Sequence, residues 1–342
     1  MKPLKFIECR GTPEEMGLQY GECARDEIKF CRELWQEYLR KFPVKSSFAG
    51  NAAEALKFFA PDSLTELQAI ARGADVPEEF IFFLNVVDTF EFPCEHCTPL
   101  LLRRSPDGVI VAKNNDAGIG EEFPFVIRRC VPDKGIPFIQ VTYAGWISGL
   151  DMMNSEGLAN THGSVGSKFP RYGRRIDIRI RLYELMKSCR TLGELLRGLH
   201  APEFPLTGKG FSIAAADRSG ECTFIDAAVP VIMERNRNSD FCWSTNLYET
   251  PGLENADARI PERKPFIRSR GEFIASKPVP ENLEQLKAIL SDHSLPNAPC
   301  HHGDPLSRDI TVWAMYCLPE KGIVGVADGN PCCNEFKEFF LP

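Results

Sequence analysis

Apolar residues recur at helical spacing over the first 96 residues of the chain. Thr12-Pro13 supplies the cap residue and N1 proline that begin a helix, and the stretch Glu15–Phe42 continues it with apolar residues at helical spacing. Two further helix starts stand at Asp62 and Pro77. The pattern predicts a mostly helical segment over residues 1–96.

From residue 97 onward the pattern changes to short apolar runs bounded by turn residues, which predict β-strands. The predicted strands are 98–103, 109–112, 138–143, 148–153, 158–161, 212–217, 222–226, 231–235, 241–245, 312–317 and 322–327. Helical patterns interrupt them at 176–188, 192–199, 264–276 and 283–291. We therefore expect an α+β fold in which antiparallel sheets stack and helices cover them.

The change of pattern near residue 97 predicts no boundary between domains. Domain boundaries usually fall in flexible polar linkers, whereas the approach to residue 97 carries Phe90 and Phe92, which are suited to packing against a core. We expect one structural domain overall.

Composition narrows the class of protein. The 342 residues carry a formal net charge of −7, which argues against nucleic acid as a main partner. No apolar run approaches the roughly 20 residues needed to cross a bilayer, so we expect no membrane partner. Residues 1–6 lack the apolar region of a secretory signal, which favours a cytoplasmic location.

The cysteines predict neither a disulfide scaffold nor a metal site. Their number, 13, is odd and their spacing shows no repeat, so most are expected to be buried thiols. The Cys94–Cys97 pair and the cysteines and histidines at 300–302 and 332–333 lie about 200 residues apart, too far for a typical zinc spacing. No cofactor is expected either, because Gly208-Lys209-Gly210 is too short for a phosphate-binding loop.

The strongest chemical signal is Cys97 followed by the run Lys113-Asn114-Asn115-Asp116. The Asp107-Gly108 turn between two apolar runs predicts a hairpin, and a hairpin brings its two ends together. A thiol, a cation and a carboxylate would then converge, which is adequate for nucleophilic catalysis. A nearby cation that lowered the pKa of Cys97 by about one would raise its thiolate fraction at pH 7 to roughly a quarter.

Short motifs along nearly the whole chain resemble one family of enzymes. In order, they are Gly11–Gly17 with Gly21, Thr65–Ala74, Cys97-Thr98, Asn114–Asp116, Ser244–Asn246 and Arg308–Trp313. This order and spacing resemble the acyl-coenzyme A:6-aminopenicillanic acid acyltransferase family, a branch of the N-terminal-nucleophile (Ntn) hydrolases. The resemblance implies a four-layer αββα sandwich and an autocatalytic cut between His96 and Cys97.

The resemblance also assigns roles to the candidate site residues. Cys97 would be the nucleophile, and Asp116 would hold its freed amino group. Asn246 matches the family asparagine that donates to the oxyanion, and Arg308 matches an arginine near the active site. Lys113 stands where related acylases often carry arginine, and a solvated lysine at the strand end is an equal alternative there.

The predicted product is a helical α-chain, residues 1–96, that stays associated with a catalytic β-chain, residues 97–342. We expect a cysteine amidohydrolase or acyltransferase acting on a small N-acylated compound through a thioester. Two alternatives stay open at this point: a non-enzymatic binding protein of the same fold, and an uncut thiol hydrolase with His96 as the base.

Overall fold

The computed structural model describes residues 4–41, 53–86, 97–120, 122–169, 174–235, 239–258, 261–303 and 309–341. Two β-sheets pack face to face, and helices cover the outer face of each. This αββα layering confirms the predicted fold class.

The helices fall into two layers, one on each side of the paired sheets. In chain order they are α1 (Pro13–Cys23), α2 (Arg25–Lys41), α3 (Pro61–Ala74), α4 (Glu78–Val86), α5 (Ile178–Met186), α6 (Leu192–Leu199), α7 (Lys264–Ala275) and α8 (Leu283–Leu290). Helical turns also occur at 53–59. Among these, no helix combines the length and apolar character needed to cross a bilayer.

The strands form two large sheets and one small one. In chain order they are β1 (Phe6–Gly11), β2 (Thr98–Leu102), β3 (Ile110–Gly118), β4 (Phe125–Pro132), β5 (Phe138–Tyr143), β6 (Met152–Asn154), β7 (Ala159–Ser164), β8 (Ile176–Asp177), β9 (Leu206–Thr207), β10 (Phe211–Ala216), β11 (Cys222–Ala228), β12 (Val231–Glu234), β13 (Phe241–Trp243), β14 (Asp309–Leu318), β15 (Ile323–Asp328) and β16 (Lys337–Phe340). The eight-stranded sheet has the order β1-β4-β5-β6-β7-β10-β11-β12, and the six-stranded sheet has the order β13-β2-β3-β14-β15-β16. β8 and β9 pair separately.

Successive side chains along each strand point to opposite faces of its sheet, and this separates three apolar layers. Leu101 and Val111 point into the core between the two sheets. Their neighbours Leu100 and Ala112 face the other way, into the core under α7 and α8. A third core lies between the eight-stranded sheet and helices α1 to α6. Any side chain on β2 or β3 therefore lies either between the sheets or under the α7–α8 layer.

The N-terminal segment, predicted to be mostly helical, also contains a strand that the sequence pattern did not predict. β1 pairs in parallel with β4, from Phe6 opposite Ile127 to Gly11 opposite Pro132, and extends the eight-stranded sheet. After β1, Thr12 and Glu15 form a capping box at the start of α1. Residues 4–86 thus supply one strand and much of one helical layer.

Glycines set the contact between α1 and α3. A Cβ on Gly17 would lie 2.4 Å from the Glu66 carbonyl oxygen, and one on Gly21 would lie 2.3 Å from the Ile70 carbonyl oxygen. The two helix backbones approach too closely for any side chain at these positions. This contact gives a structural reason for glycine in the first motif of the sequence.

Candidate functional site

Cys97 immediately precedes β2 and lies at the mouth of the β2–β3 hairpin. Thr98 pairs with Asn114, and the register continues to Leu102 opposite Ile110. The hairpin predicted from the Asp-Gly turn is thus confirmed, with a longer second strand that extends through Asp116 to Gly118. Cys97 is 3% exposed.

The polar run on β3 divides between the two faces of its sheet. The Lys113 ammonium reaches Asp151 between the sheets, whereas the Asn114 amide donates to the carbonyl oxygens of Leu290 and Pro299 on the helix side. By the same alternation, Asn115 points between the sheets and Asp116 points to the helix side. Each of these polar side chains is buried, so none is a solvated strand end.

Asn115 connects the nucleophile candidate to Lys113. The Cys97 thiol donates to Asn115 Oδ1 at 3.5 Å, and Lys113 Nζ donates to the same oxygen at 2.9 Å. The Asn115 amide nitrogen donates to the Tyr143 hydroxyl at 2.9 Å. This network fixes the amide so that its oxygen faces both the sulfur and the ammonium.

The pKa of Cys97 is raised, not lowered as a nearby cation led us to expect. Burial is the largest cause of the rise, and the Lys113 charge acts against it. The carboxylates of Asp116 and Asp151 act in the same direction as burial, while the backbone N–H of Asp116 acts against it. With its pKa raised, the sulfur at neutral pH is a thiol.

Lys113 belongs to a buried charged group that the sequence analysis missed. Its Nζ lies 2.9 Å from Asp151 Oδ2, and Asp151 Oδ1 lies 3.0 Å from His162 Nδ1. Burial acts to raise the pKa of Asp151, but His162 and Lys113 outweigh it and lower this pKa. Asp151 holds φ at 56°, in the left-handed region. The sequence offered one signal for this buried group, an acidic residue inside the apolar run 148–153.

Asp116 faces the helix side of the six-stranded sheet. Its Oδ1 accepts from the Thr311 hydroxyl at 2.6 Å. Its Oδ2 has no hydrogen-bond partner among the described residues and lies 4.0 Å from both Arg270 Nη1 and His301 Nε2. Burial raises the pKa of Asp116 well above its usual range. The Thr311 hydroxyl and the Arg270 charge act to lower this pKa, but burial outweighs them.

Asn246 lies close to the strand that follows Cys97. Its Oδ1 accepts from Arg270 Nη2 at 2.6 Å, and its Nδ2 donates to the Ser164 carbonyl oxygen at 2.8 Å. Its φ is 71°, and a Cβ on Gly163 would lie within 3.5 Å of both Pro99 and the Asn246 amide nitrogen. Asn246 is fully buried, and its contact with Ser164 uses one of the two hydrogens of its amide group.

Two of the sequence-predicted site residues, His96 and Arg308, lie outside the described residues. Arg270, which the sequence analysis did not single out, is the guanidinium that lies against Asp116 and Asn246. It shares a buried face of α7 with Ile267 and Ile274. A charged residue at a core position of an amphipathic helix was the signal for it.

The structure also brings cysteines and histidines together near Asp116. The side chains of Cys300, His302 and Cys332 meet, although the sequence spacing argued against a metal site. The spacing argument counted the distant Cys94–Cys97 pair among the ligands. Cys300, His302 and Cys332 meet without that pair. His293 also lies near His302 and Cys332.

Comparison with known proteins gives structural likenesses only. No protein-family model matches the chain, and no curated protein matches it. A mutant of the conjugated bile acid hydrolase from Clostridium perfringens is similar at 14% identity and a TM-score of 0.42, over 72% of this chain and 97% of that chain. Penicillin V acylase from Agrobacterium tumefaciens is similar at 15% identity and a TM-score of 0.44, over 68% and 83%. The N-acylethanolamine-hydrolyzing acid amidase ortholog of Caenorhabditis elegans is similar at 12% identity and a TM-score of 0.43, over 66% and 93%. All three likenesses are weak, so the site geometry carries the function proposed below.

Proposed function

We propose that this chain is a cysteine Ntn hydrolase that cleaves or transfers the acyl group of a small N-acylated compound. The observation that carries the proposal is the grouping at the β2–β3 hairpin mouth. The Cys97 sulfur, the Lys113 ammonium and the amide of Asn115 meet there, and Asp116 presents its backbone N–H to the sulfur. This is the donor and acceptor set that thiol-based acyl transfer requires.

Processing is the first step of the proposal. Sγ of Cys97 attacks the carbonyl carbon of His96, and the acyl group moves from the Cys97 nitrogen to its sulfur. Water then hydrolyses this thioester, which leaves a carboxylate on His96 and a free amino group on Cys97. The products are the α-chain, residues 1–96, and the β-chain, residues 97–342, which together form one structural domain.

The freed amino group supplies the base that the buried thiol lacks. Its reference pKa, just under about 8, suits it to take the thiol proton and return it to the leaving amine. We assign Asp116 to hold this amino group, because its Oδ2 is a buried acceptor without a hydrogen-bond partner in the described chain. Protonation of the amine beside the carboxylate would then lower the pKa of both Asp116 and Cys97.

Acyl transfer then follows in two balanced steps. The Cys97 sulfur bonds to the substrate carbonyl carbon, the C–N bond breaks, and the amine leaves with the proton. Water or a second amine attacks the thioester and releases the acyl group, while the thiol regains its proton. We assign Asn246 to donate to the developing oxyanion, a contribution of about 3–4 kcal/mol in well-measured enzymes. Lys113 balances the charge on sulfur through Asn115, and Arg308 is proposed to stabilise the thiolate or a substrate carboxylate.

Intact-mass spectrometry of the purified protein tests processing. We expect two chains, one that ends at His96 and one that begins at Cys97. The Cys97→Ala variant should give one species of 38.4 kDa. Cys242→Ala, on the strand that pairs with β2, is the matched control and should be processed normally. Incubation with a mixed N-acyl amide library should add an acyl mass to the 97–342 chain. A single intact species together with an active Cys97→Ala variant would refute the proposal.

A non-enzymatic binding protein is the second candidate, favoured by the burial that raises the pKa of Cys97. Labelling with iodoacetamide separates the two. If Cys97 in the purified protein reacts no faster than the other cysteines, the binding protein is supported. An uncut hydrolase with His96 as base predicts an unprocessed but active protein that His96→Ala inactivates.

A further inference from the structure

A group of sulfur and imidazole side chains lies in the loop before β14 and in the turn after β15. We call Cys300, His302, Cys332 and His293 the cysteine–histidine cluster. Cys300 Sγ lies 3.6 Å from His302 Nε2 and 3.6 Å from Cys332 Sγ, and His302 Nε2 lies 3.1 Å from Cys332 Sγ. The ligand atoms of His293, His302 and Cys332 all lie within 4.8 Å of one another.

The separations within the Cys300, His302 and Cys332 triangle are close to the edges of a zinc coordination tetrahedron. With Zn–S near 2.3 Å and Zn–N near 2.0–2.1 Å, neighbouring ligand atoms lie about 3.4–3.8 Å apart. Two of the three edges of the Cys300, His302 and Cys332 triangle have this length, and the third is slightly shorter. All these cysteines are free, and 3.6 Å between sulfurs is far longer than the roughly 2.05 Å of a disulfide.

The surroundings of the cluster fit metal-bound sulfur. The Asn330 amide donates to Cys300 Sγ at 3.4 Å, the kind of outer hydrogen bond that orients a ligating sulfur. Cys300 is buried, whereas His293 and His302 are exposed and Cys332 lines a surface depression with Lys287. One ligand is therefore fixed in the protein interior, and the others are reachable from solvent.

We propose that the cysteine–histidine cluster binds one zinc ion through Cys300, His302, Cys332 and His293. Four protein ligands of this kind make a closed, structural site with no open position for a substrate. The ligands come from two chain segments, 293–302 and 332, so the ion would tie the loop before β14 to the turn after β15.

A zinc ion bound by these two segments would also fix one side of the candidate active site. His301 stands between two of the ligands, and its backbone N–H donates to Thr311 Oγ1 at 3.0 Å. The same Thr311 hydroxyl donates to Asp116 at 2.6 Å, and Asn330 holds the His301 carbonyl oxygen. The zinc proposal does not rest on the proposed catalysis, because it depends only on ligand geometry.

Metal analysis of the full chain, made without a histidine tag, tests the proposal. Elemental mass spectrometry should find about one zinc per chain. Cys332→Ala and His302→Ala should each lose most of it, whereas Cys242→Ala, the matched control, should keep it. Cobalt in place of zinc should give a thiolate-to-metal absorption band in the wild type that Cys332→Ala lacks.

A second measurement covers variants that fold poorly. A strong chelator should lower the Tm of the wild type, and added zinc should restore it. The Cys332→Ala variant, if less stable, should show no change with chelator or with zinc. His293→Ala should lower zinc affinity. If His293→Ala kept all of its zinc and Cys333→Ala lost it, the fourth ligand would be Cys333 and not His293.

Three results would overturn the site. The first is wild-type protein that holds no zinc after exposure to equimolar zinc and desalting. The second is zinc content unchanged by both Cys332→Ala and His302→Ala. The third is an intact mass lower by two hydrogens with Cys300 and Cys332 linked, which would make the pair a disulfide. None of these outcomes depends on whether the bond before Cys97 is cut.

Discussion

The positive charge of Lys113 acts to lower the pKa of Cys97, but burial outweighs it. The ammonium is also paired with Asp151 at 2.9 Å, and the carboxylates of Asp116 and Asp151 raise the pKa of the thiol further. Burial therefore dominates, and the pKa of Cys97 rises. Sequence reasoning found the cation but could not find its partner, because Asp151 lies just before β6 of the opposite sheet.

The Lys113–Asp151 pair gives the first residue-scale prediction. Asp151→Asn should lower the free energy of unfolding by about 3 kcal/mol near neutral pH, because it leaves a buried ammonium without its countercharge. Asparagine tolerates the positive φ at this position, so backbone strain adds little. Urea denaturation of the Cys97→Ala background, which avoids processing, measures the change.

The same variant carries a pH signature. Although burial acts in the opposite direction, His162 and Lys113 lower the pKa of Asp151. Its stabilising effect is fully present above the unfolded pKa of about 3.9 and is lost as the pH falls through the lower folded-state pKa. The stability difference should therefore shrink below about pH 4. Adding Lys113→Gln should recover part of the loss, and a double variant no more stable than Asp151→Asn would contradict the pairing.

At the scale of elements, the hairpin was predictable and the length of its second strand was not. Asp107-Gly108 between apolar runs indicates the turn directly. The strand was expected to end at Ala112, and four polar residues follow it in the sequence. In the structure β3 continues through them, since Lys113 and Asn114 each find buried partners on opposite faces. Partners in other elements are what sequence alone does not reveal.

The α1–α3 contact gives a prediction about packing. Gly21→Ala should destabilise the protein by about 1–3 kcal/mol or more, because the added methyl group would meet the Ile70 carbonyl oxygen at 2.3 Å. Gly193→Ala, in α6, is the control, since only the tip of the Arg197 side chain lies near. That variant should gain about 0.5–1 kcal/mol from helix propensity. Equal effects of the two variants on the urea midpoint would show that the helix contact is looser than the structure indicates.

At the scale of the whole molecule, the layers were predictable and the course of the N-terminal segment was not. Alternating strands and amphipathic helices identify stacked sheets covered by helices whatever the order of the strands. Phe6–Gly11 has only two buried apolar side chains, Ile7 and Cys9, so its pattern is too short to stand out. It became a strand because β4 offers it a parallel edge. The sequence analysis rejected a metal site at residues 300–302 and 332–333 because it compared them with the distant Cys94–Cys97 pair, whereas the folded chain brings Cys300, His302 and Cys332 together.

This arrangement decides what a cut before Cys97 would do to the molecule. Residues 4–86 place β1 in the same sheet as strands from the later part of the chain. They also supply Glu66, whose carboxylate pairs with Arg128 in a fully buried salt bridge. Asn85 donates to the Gly145 carbonyl oxygen and accepts from the Ile147 backbone N–H. These contacts are all non-covalent, so none depends on an intact bond at residue 96.

We therefore expect the two chains of the processed protein to stay together without a covalent link. Size-exclusion chromatography should give one peak with the elution volume of the uncut Cys97→Ala variant, while a denaturing gel of that peak should show two bands. The chains should separate only at urea concentrations that also abolish the native circular dichroism signal, because the shared sheet and the Glu66–Arg128 pair belong to one cooperative core. Release of the 1–96 chain well before unfolding would mean that it is a detachable segment. That result would contradict the prediction of one structural domain.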